Sequence, residues 1–177
     1  MRTGSTSTSL IIFRGNSAAG KSSVARAVRE AYGRGLALVG QDVIRRDILK
    51  EPDRAGAANI GLIDTIVRYS LDHGYHVLLE GILFADRYGN MLQALRSDHR
   101  GATHGYYFDI AFTETLRRHA TKPQAAEYGE AEMRQWYRER DLLPGGWETI
   151  IGQDSSLEVT VQRVLGDSGL LSAPARR

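Results

Sequence analysis

The sequence predicts an α/β protein built on a parallel sheet with helices wound over both faces. Three observations predict it. Five short apolar runs alternate with helical patterns along the 177 residues, the order that parallel strands joined by crossover helices produce. The first run, "LIIF" (Leu10 to Phe13), has no polar residue to offer a solvated face, as suits a strand buried on both sides. Directly after it, "GNSAAGKS" (Gly15 to Ser22) satisfies GxxxxGK[ST] and opens a helical pattern.

The elements follow in chain order. "SSVARAVREAY" (Ser22 to Tyr32) places Val24, Val28 and Tyr32 four apart with alanines between, an amphipathic helix. "GLALVGQD" (Gly35 to Asp42) is a second strand ending in polar residues. "NIGLIDTIVRYSLDHG" (Asn59 to Gly74) sets Ile63, Ile66, Val67 and Leu71 on one stripe and closes on a glycine suited to a C-terminal cap. A third strand, "YHVLLEG" (Tyr75 to Gly81), leads to a helix from Tyr88 to Leu95. "GYYFDI" (Gly105 to Ile110) is a fourth strand and "TETLRRHA" (Thr113 to Ala120) a helix. "ETIIG" (Glu148 to Gly152) is a short last strand. "SSLEVTVQRVLG" (Ser155 to Gly166) is a last helix, with Ser155 or Ser156 as N-cap and Glu158 near the third position.

The expected organisation is one domain over 9–167. Residues 1–8 read as a flexible polar lead and 168–177, ending "SAPARR", as a tail. At 42% hydrophobic content the chain has apolar residues enough for a core of ordinary size. There is no cysteine, which excludes disulfides, thiolate catalysis and cysteine-ligated zinc and fits a reducing cytoplasm. The N-terminus has neither the apolar segment of a signal peptide nor a membrane span. With 23 basic and 21 acidic residues the net charge is +2. The isoelectric point near 9.0 therefore reflects a small basic excess, which does not argue for a nucleic-acid partner.

The Gly-rich motif carries the first chemistry. Backbone N–H groups of Gly15, Asn16, Ser17, Ala18, Ala19 and Gly20 would turn toward phosphate oxygens at a positive helix N-terminus, continuing into Ser22 and Ser23. Lys21 would reach the outer phosphates, and the Ser22 hydroxyl would serve Mg²⁺. A plain Gly-rich strand–helix turn would leave a lysine at that position unexplained. A switch GTPase would need DxxG just after the third strand and NKxD later. "DRYG" at Asp86, "DHRG" at Asp98 and "TKPQ" at Thr121 each fail in residue or position.

Phosphoryl transfer to a hydroxyl asks for a carboxylate close to the outer phosphate. Asp42, where the chain leaves the second strand, is placed for that, with Arg45 and Arg46 about one turn on and in range of a polar or anionic acceptor. The competing reading makes Asp42 an N-cap and leaves the arginines solvated. Glu80, ending the third strand in "LLEG", is placed to order water on Mg²⁺ or to act on the acceptor. Alternatively it is a strand-end acid bonded to loop amides. Asp109, ending the fourth strand, is a weaker candidate.

The stretch from Arg117 to Trp147 is polar and arginine-rich and reads as a helical lid over one sheet edge, about 118–146; a solvated charged helix is the alternative. Arg118 and Lys122 would share a helix face. Arg118 and one of Arg134, Arg138 or Arg140 are candidate cations for transferred-phosphate charge. Trp136 and Tyr137 suit either stacking on a base or pinning the lid. The five histidines, His73, His76, His99, His104 and His119, build no metal face.

Taken together, the cradle, Asp42, "LLEG" and the basic lid resemble the P-loop kinases of the adenylate kinase-like group. The similarity is to the branch of zeta toxins, chloramphenicol phosphotransferase, tunicamycin-resistance-type proteins and gluconate kinases, and it spans about Leu10 to Leu165. It implies a three-layer P-loop NTPase fold with strand order 2-3-1-4-5, ATP with Mg²⁺, Asp42 as the acceptor's base, Glu80 and Gly81 as a family pair, and Arg118 on nucleotide phosphates. Lys122 stands where such lids often carry arginine. Adenine would pack near Gly152 to Ser155. The expected function is ATP-dependent phosphorylation of a small-molecule hydroxyl on an antibiotic, nucleoside or sugar derivative, with Asp42, Arg45, Arg46, Glu80 and Arg138 facing the acceptor. The alternatives are a nucleotide-sugar kinase of zeta-toxin type, a nucleic-acid 5′-end kinase, for which a net charge of +2 advertises no basic groove, and a nucleotide-binding regulator without phosphotransfer.

Overall fold

The computed structural model describes residues 1–121 and 123–171. Five strands form one parallel sheet: β1 (Ser9–Gly15), β2 (Leu36–Gly40), β3 (His76–Glu80), β4 (Ala102–Asp109) and β5 (Glu148–Gly152), in the order β2-β3-β1-β4-β5. Among the described residues there are six α-helices: α1 (Lys21–Tyr32), α2 (Ala58–Asp72), α3 (Ala85–Asp98), α4 (Phe112–His119), α5 (Glu130–Trp136) and α6 (Leu157–Asp167).

β1 lies at the centre and shows why. It pairs with β3 on one side and β4 on the other, and Leu10, Ile11, Ile12 and Phe13 have no solvent exposure. Successive side chains point to opposite faces. Ile11 and Phe13 therefore join Val24 and Val28 of α1 and Val161 and Val164 of α6, while Leu10 and Ile12 join Ile63 and Val67 of α2 and Tyr88 and Leu92 of α3. An uninterrupted apolar run is what such a two-sided strand needs.

Several boundaries differ from the sequence expectation. α3 begins at Ala85, three residues before the expected start, and β4 begins at Ala102 rather than Gly105. β2 stops at Gly40, and Val43–Ile48 coil into a wide π-type turn. Ser156 is the cap of α6, its hydroxyl accepting from Val159 N–H at 3.2 Å. The supposed lid is less helical than expected: α5 has 7 residues, and the chain from Tyr137 to Trp147 is irregular.

The N-terminal residues are docked rather than loose. Thr3 is buried and bridges His99, and the Asp72 carboxylate accepts from both the Thr3 hydroxyl and the Gly4 N–H, at 2.8 and 2.6 Å. Of the residues that read as a flexible polar lead, Thr3 and Gly4 bond the end of α2 and Thr8 bonds His99 at 3.0 Å, while Arg2, Thr6 and Ser7 stay exposed. At the other end Leu170 is buried in the α1–α6 core, so the tail begins later than residue 168; residues 172–177, with "SAPARR", lie outside the described residues.

Candidate active site

The carboxyl ends of β1, β2 and β3 meet at one edge of the sheet, where open α/β sheets collect ligands. β1 ends in Gly15, whose φ of +141° favours glycine; a Cβ there would lie 2.7 Å from the Phe108 carbonyl of β4. The chain then winds through positive φ at Ala18 and Gly20 before α1 starts at Lys21. Such a turn directs successive N–H groups inward and makes an anion-binding concavity. Lys21 Nζ lies across its mouth, donating to the Gly15 and Asn16 carbonyls at 2.8 Å each.

Ser22 and Glu80, 58 residues apart in sequence, are brought together. The Ser22 hydroxyl donates to Glu80 Oε2 at 3.1 Å, so this carboxylate bonds the hydroxyl of the phosphate loop rather than loop amides. A hydroxyl beside one carboxylate is a donor set for Mg²⁺, which keeps most of its water and takes few protein ligands. No group of three or more His, Asp or Glu that could hold a metal ion is found among the described residues. β2 and β3 are in register with Gly40 opposite Glu80, which puts Asp42 just beyond Glu80 at the same edge. The Asp42 side chain makes no capping bond. Instead its carboxylate is largely exposed and pairs with Arg45 at 3.1 Å and Arg46 at 3.6 Å.

Arg118 reaches the loop from α4. Its NH1 donates to the Ala19 carbonyl at 3.1 Å, and its Nε to Glu114 at 2.7 Å. The Arg117 and Arg118 guanidiniums hold the Glu114 carboxyl well below its ordinary range, at about 2. A cavity of about 340 Å³ opens beside Gly20 and Arg118 and continues between Phe108, Ile151 and the segment Gly152 to Ser156. That volume and lining, apolar walls with a few polar groups, suit a flat heteroaromatic ring. It is the place the family resemblance assigns to adenine.

On the other side of the loop Arg138 forks onto Asp86 at 2.8 and 3.0 Å, with its guanidinium 4.0 Å from the centre of the Phe84 ring. Arg138 is thereby distant in sequence yet adjacent to the loop after β3, whereas Arg134 pairs with Glu130 within α5 and Arg140 lies 3.8 Å from Asp109. Lys122 lies outside the described residues. Trp136 packs on Tyr128, which stacks on His119 of α4, and Tyr137 packs on Phe112 of α4.

Two groups of residues were missed in the sequence, and with them a contact between two residues that it did single out, Asn16 and Arg138. Arg14, fully buried, donates to Glu148 at 2.8 Å, Asp141 at 3.0 Å and the Leu83 carbonyl at 2.9 Å. A charged residue closing an apolar run was the only signal. Gln41, also buried, accepts from Leu83 N–H and donates to the Tyr88 hydroxyl at 2.7 Å. That hydroxyl has one proton for two acceptors, Asp53 at 2.7 Å and Asn59 at 2.8 Å. Burial first, and then Asp53, push the Tyr88 hydroxyl far above its usual range, so it stays neutral and ties the loop before α2 to α3. Finally, Asn16 bonds the backbone of Arg138 at 2.8 and 2.9 Å.

The strand order and this strand-end cradle decide the fold. The chain has the three-layer P-loop NTPase fold. Solved kinases share it at low sequence identity. The APS kinase of Mycobacterium tuberculosis, in complex with AMPPNP and APS, superposes with a TM-score of 0.71 at 19% identity, covering 98% of this chain and 100% of that one. A sugar kinase from a Janibacter species gives 0.67 at 15% identity, covering 96% and 99%. The tunicamycin resistance protein of Deinococcus radiodurans gives 0.65 at 15% identity, also covering 96% and 99%. No protein-family model matches the sequence, and no curated protein matches it. No helix among the described residues is long and apolar enough to cross a membrane.

Proposed function

We propose that this protein is an ATP-dependent phosphotransferase that phosphorylates a hydroxyl of a small molecule. The observation that carries the reading is the meeting of the Ser22–Glu80 pair with the Lys21 loop, at the same sheet edge as Asp42. A nucleotide binder needs the loop alone; carboxylates at the ends of β2 and β3 are what transfer to a hydroxyl adds.

In this reading the loop Gly15 to Gly20, with Ser22 and Ser23, binds the phosphates, and the cavity beside Arg118 takes the base. Ser22 and Glu80 would hold Mg²⁺, which when bound offsets phosphate charge. Lys21 and Arg118 supply fixed positive charge where negative charge accumulates in transfer. Asp42 orients the acceptor hydroxyl and takes its proton. Arg45 and Arg46 hold the Asp42 carboxylate at 3.1 and 3.6 Å and, with Arg138, give the acceptor side cations for a polar or anionic group. An APS kinase and a sugar kinase among the proteins of this fold support a small-molecule acceptor.

The test is acceptor-stimulated ADP release from purified protein across antibiotics, nucleosides, sugars, nucleotide sugars and oligonucleotides, compared with Asp42→Asn. Asp42→Asn is expected to abolish stimulation while ATP binding persists. A variant with unchanged turnover would remove Asp42 from the mechanism, and nucleotide binding with no acceptor response in the wild type would favour a regulator.

A further inference from the structure

Both polar ends of the Asn16 amide are spent on one residue of the lid segment. Nδ2 donates to the Arg138 carbonyl at 2.8 Å, and Oδ1 accepts from the Arg138 N–H at 2.9 Å. A side chain of the phosphate loop thus pairs with a distant residue's backbone as a neighbouring strand would. Asn16 is only 6% exposed, so water does not substitute readily for either bond.

What lies on each side of this clamp gives it meaning. The Asn16 main-chain carbonyl accepts from Lys21 Nζ at 2.8 Å. The Arg138 guanidinium forks onto Asp86 at 2.8 and 3.0 Å and faces Phe84 at 4.0 Å. The Asp86 contact is half-exposed, and an exposed ion pair alone holds a long side chain weakly. The backbone from which that side chain projects has to be fixed by something else. Asn16 fixes it, and Arg14, two residues earlier on β1, fixes the following stretch through Asp141 and Glu148 at 3.0 and 2.8 Å.

Resting on the phosphotransfer reading, we propose that Asn16 is a positioning residue: it sets the place of Arg138 on the acceptor side and makes that place depend on the state of the phosphate loop. The GxxxxGK[ST] pattern leaves this position free, so the motif does not account for an asparagine whose two ends are both committed. Displacement of Lys21 Nζ from the Asn16 carbonyl acts first on the peptide that carries the clamp.

Hydrogen exchange at the Arg138 amide, resolved to single residues in the full chain with and without AMP-PNP and Mg²⁺, tests this alongside the affinity for mant-ATP. In Asn16→Ala the Arg138 amide is expected to exchange about tenfold faster or more, while the backbone N–H that this position lends to the loop is kept. In the wild type AMP-PNP changes exchange at Arg138; in Asn16→Ala that response is lost, which a purely structural bond would not produce. Exchange at the β1 amides, paired with β3 and β4, is expected to stay slow in Asn16→Ala, which separates loss of the clamp from loss of the fold. Unchanged Arg138 exchange in Asn16→Ala overturns the proposal. So does a large loss of mant-ATP affinity with Arg138 still protected, since Asn16 would then serve the nucleotide directly. Failure of the wild type to bind mant-ATP overturns the phosphotransfer reading itself and is seen before any variant is made.

Discussion

Lys21 is 6% exposed, and its ammonium sits between two carbonyls of its own loop at 2.8 Å each. An ammonium held this way is already desolvated and positioned, so phosphate oxygens can replace carbonyl oxygens with little reorganisation. Lys21→Ala should therefore lower turnover by about 10²-fold or more, and an unaltered rate or mant-ATP affinity would remove the loop from the site. Glu80→Gln is a finer probe. Glutamine still offers an oxygen to the Ser22 hydroxyl, now 3.1 Å from the carboxylate, so the fold should be unaffected while the charge beside the hydroxyl is lost. The Mg²⁺ concentration for half-maximal ADP release is expected to rise by about tenfold or more; an unchanged requirement would leave Glu80 without a part in metal binding. The identities of Lys21, Ser22 and Glu80 could be read in the sequence because motif spacing and strand ends are local features. That Glu80 bonds Ser22, and that Asn16 grips Arg138, could not, because the partners lie 58 and 122 residues apart.

At the scale of elements, the buried guanidinium of Arg14 holds the end of β1 to the start of β5 and to the irregular segment before it. Each of its two carboxylate partners also accepts a backbone N–H. Asp141 accepts from Ala85 at 2.8 Å, where α3 begins, and Glu148 accepts from Leu143 at 2.6 Å. Arg14→Leu would leave two carboxylates facing an apolar residue, and a buried pair broken on one side costs about 3–5 kcal/mol. Denaturant unfolding of that variant should show the loss. Replacing Asp141 and Glu148 with apolar residues as well should recover only part of it, because the Ala85 and Leu143 amides would be orphaned. Full recovery would show that the two capping bonds carry little weight. The segment after Arg138 is anchored by this hub, whereas α5 rests on the aromatic contacts of Tyr128, Trp136, Tyr137 and Phe112. Gly81 has a comparable fixed place, since a Cβ there would meet the Gln41 side chain and push apart the loop that follows Glu80.

At the scale of the whole molecule, the N-terminal residues close the end of the sheet remote from the site. The Gly4 N–H, first, and then the Thr3 hydroxyl hold the Asp72 carboxyl below its ordinary range, and the chain's amino group and Arg68 do the same for Asp98. A carboxylate depressed in the folded state contributes stability that is fully present above its unfolded value, about 3.9, and is lost as pH falls through the lower folded value. Thermal melts between about pH 6 and about pH 3 should show stability falling on acidification, and Asp72→Ala should lower the melting temperature at the upper end of that range by a few degrees while flattening its acid dependence. An identical acid limb in that variant would put the titration elsewhere. By itself the sequence determined the α/β class, five strand positions, the phosphate loop and the two strand-end carboxylates, because each is carried by residues near one another along the chain. The apolar run of β1 marked a strand covered on both faces, since only such a strand buries every side chain. The tertiary structure alone decided what those residues touch. Arg14 read as the end of an apolar run, Asn16 as a backbone donor of the cradle, and residues 1–8 as a flexible polar lead. Each became a buried or docked contact because its partner lies far along the chain: Asp72 for Gly4 at 68 residues, Arg138 for Asn16 at 122, Asp141 for Arg14 at 127. Spacing along a chain records local periodicity, and a hydrogen bond closed by the winding of the sheet leaves no mark in it.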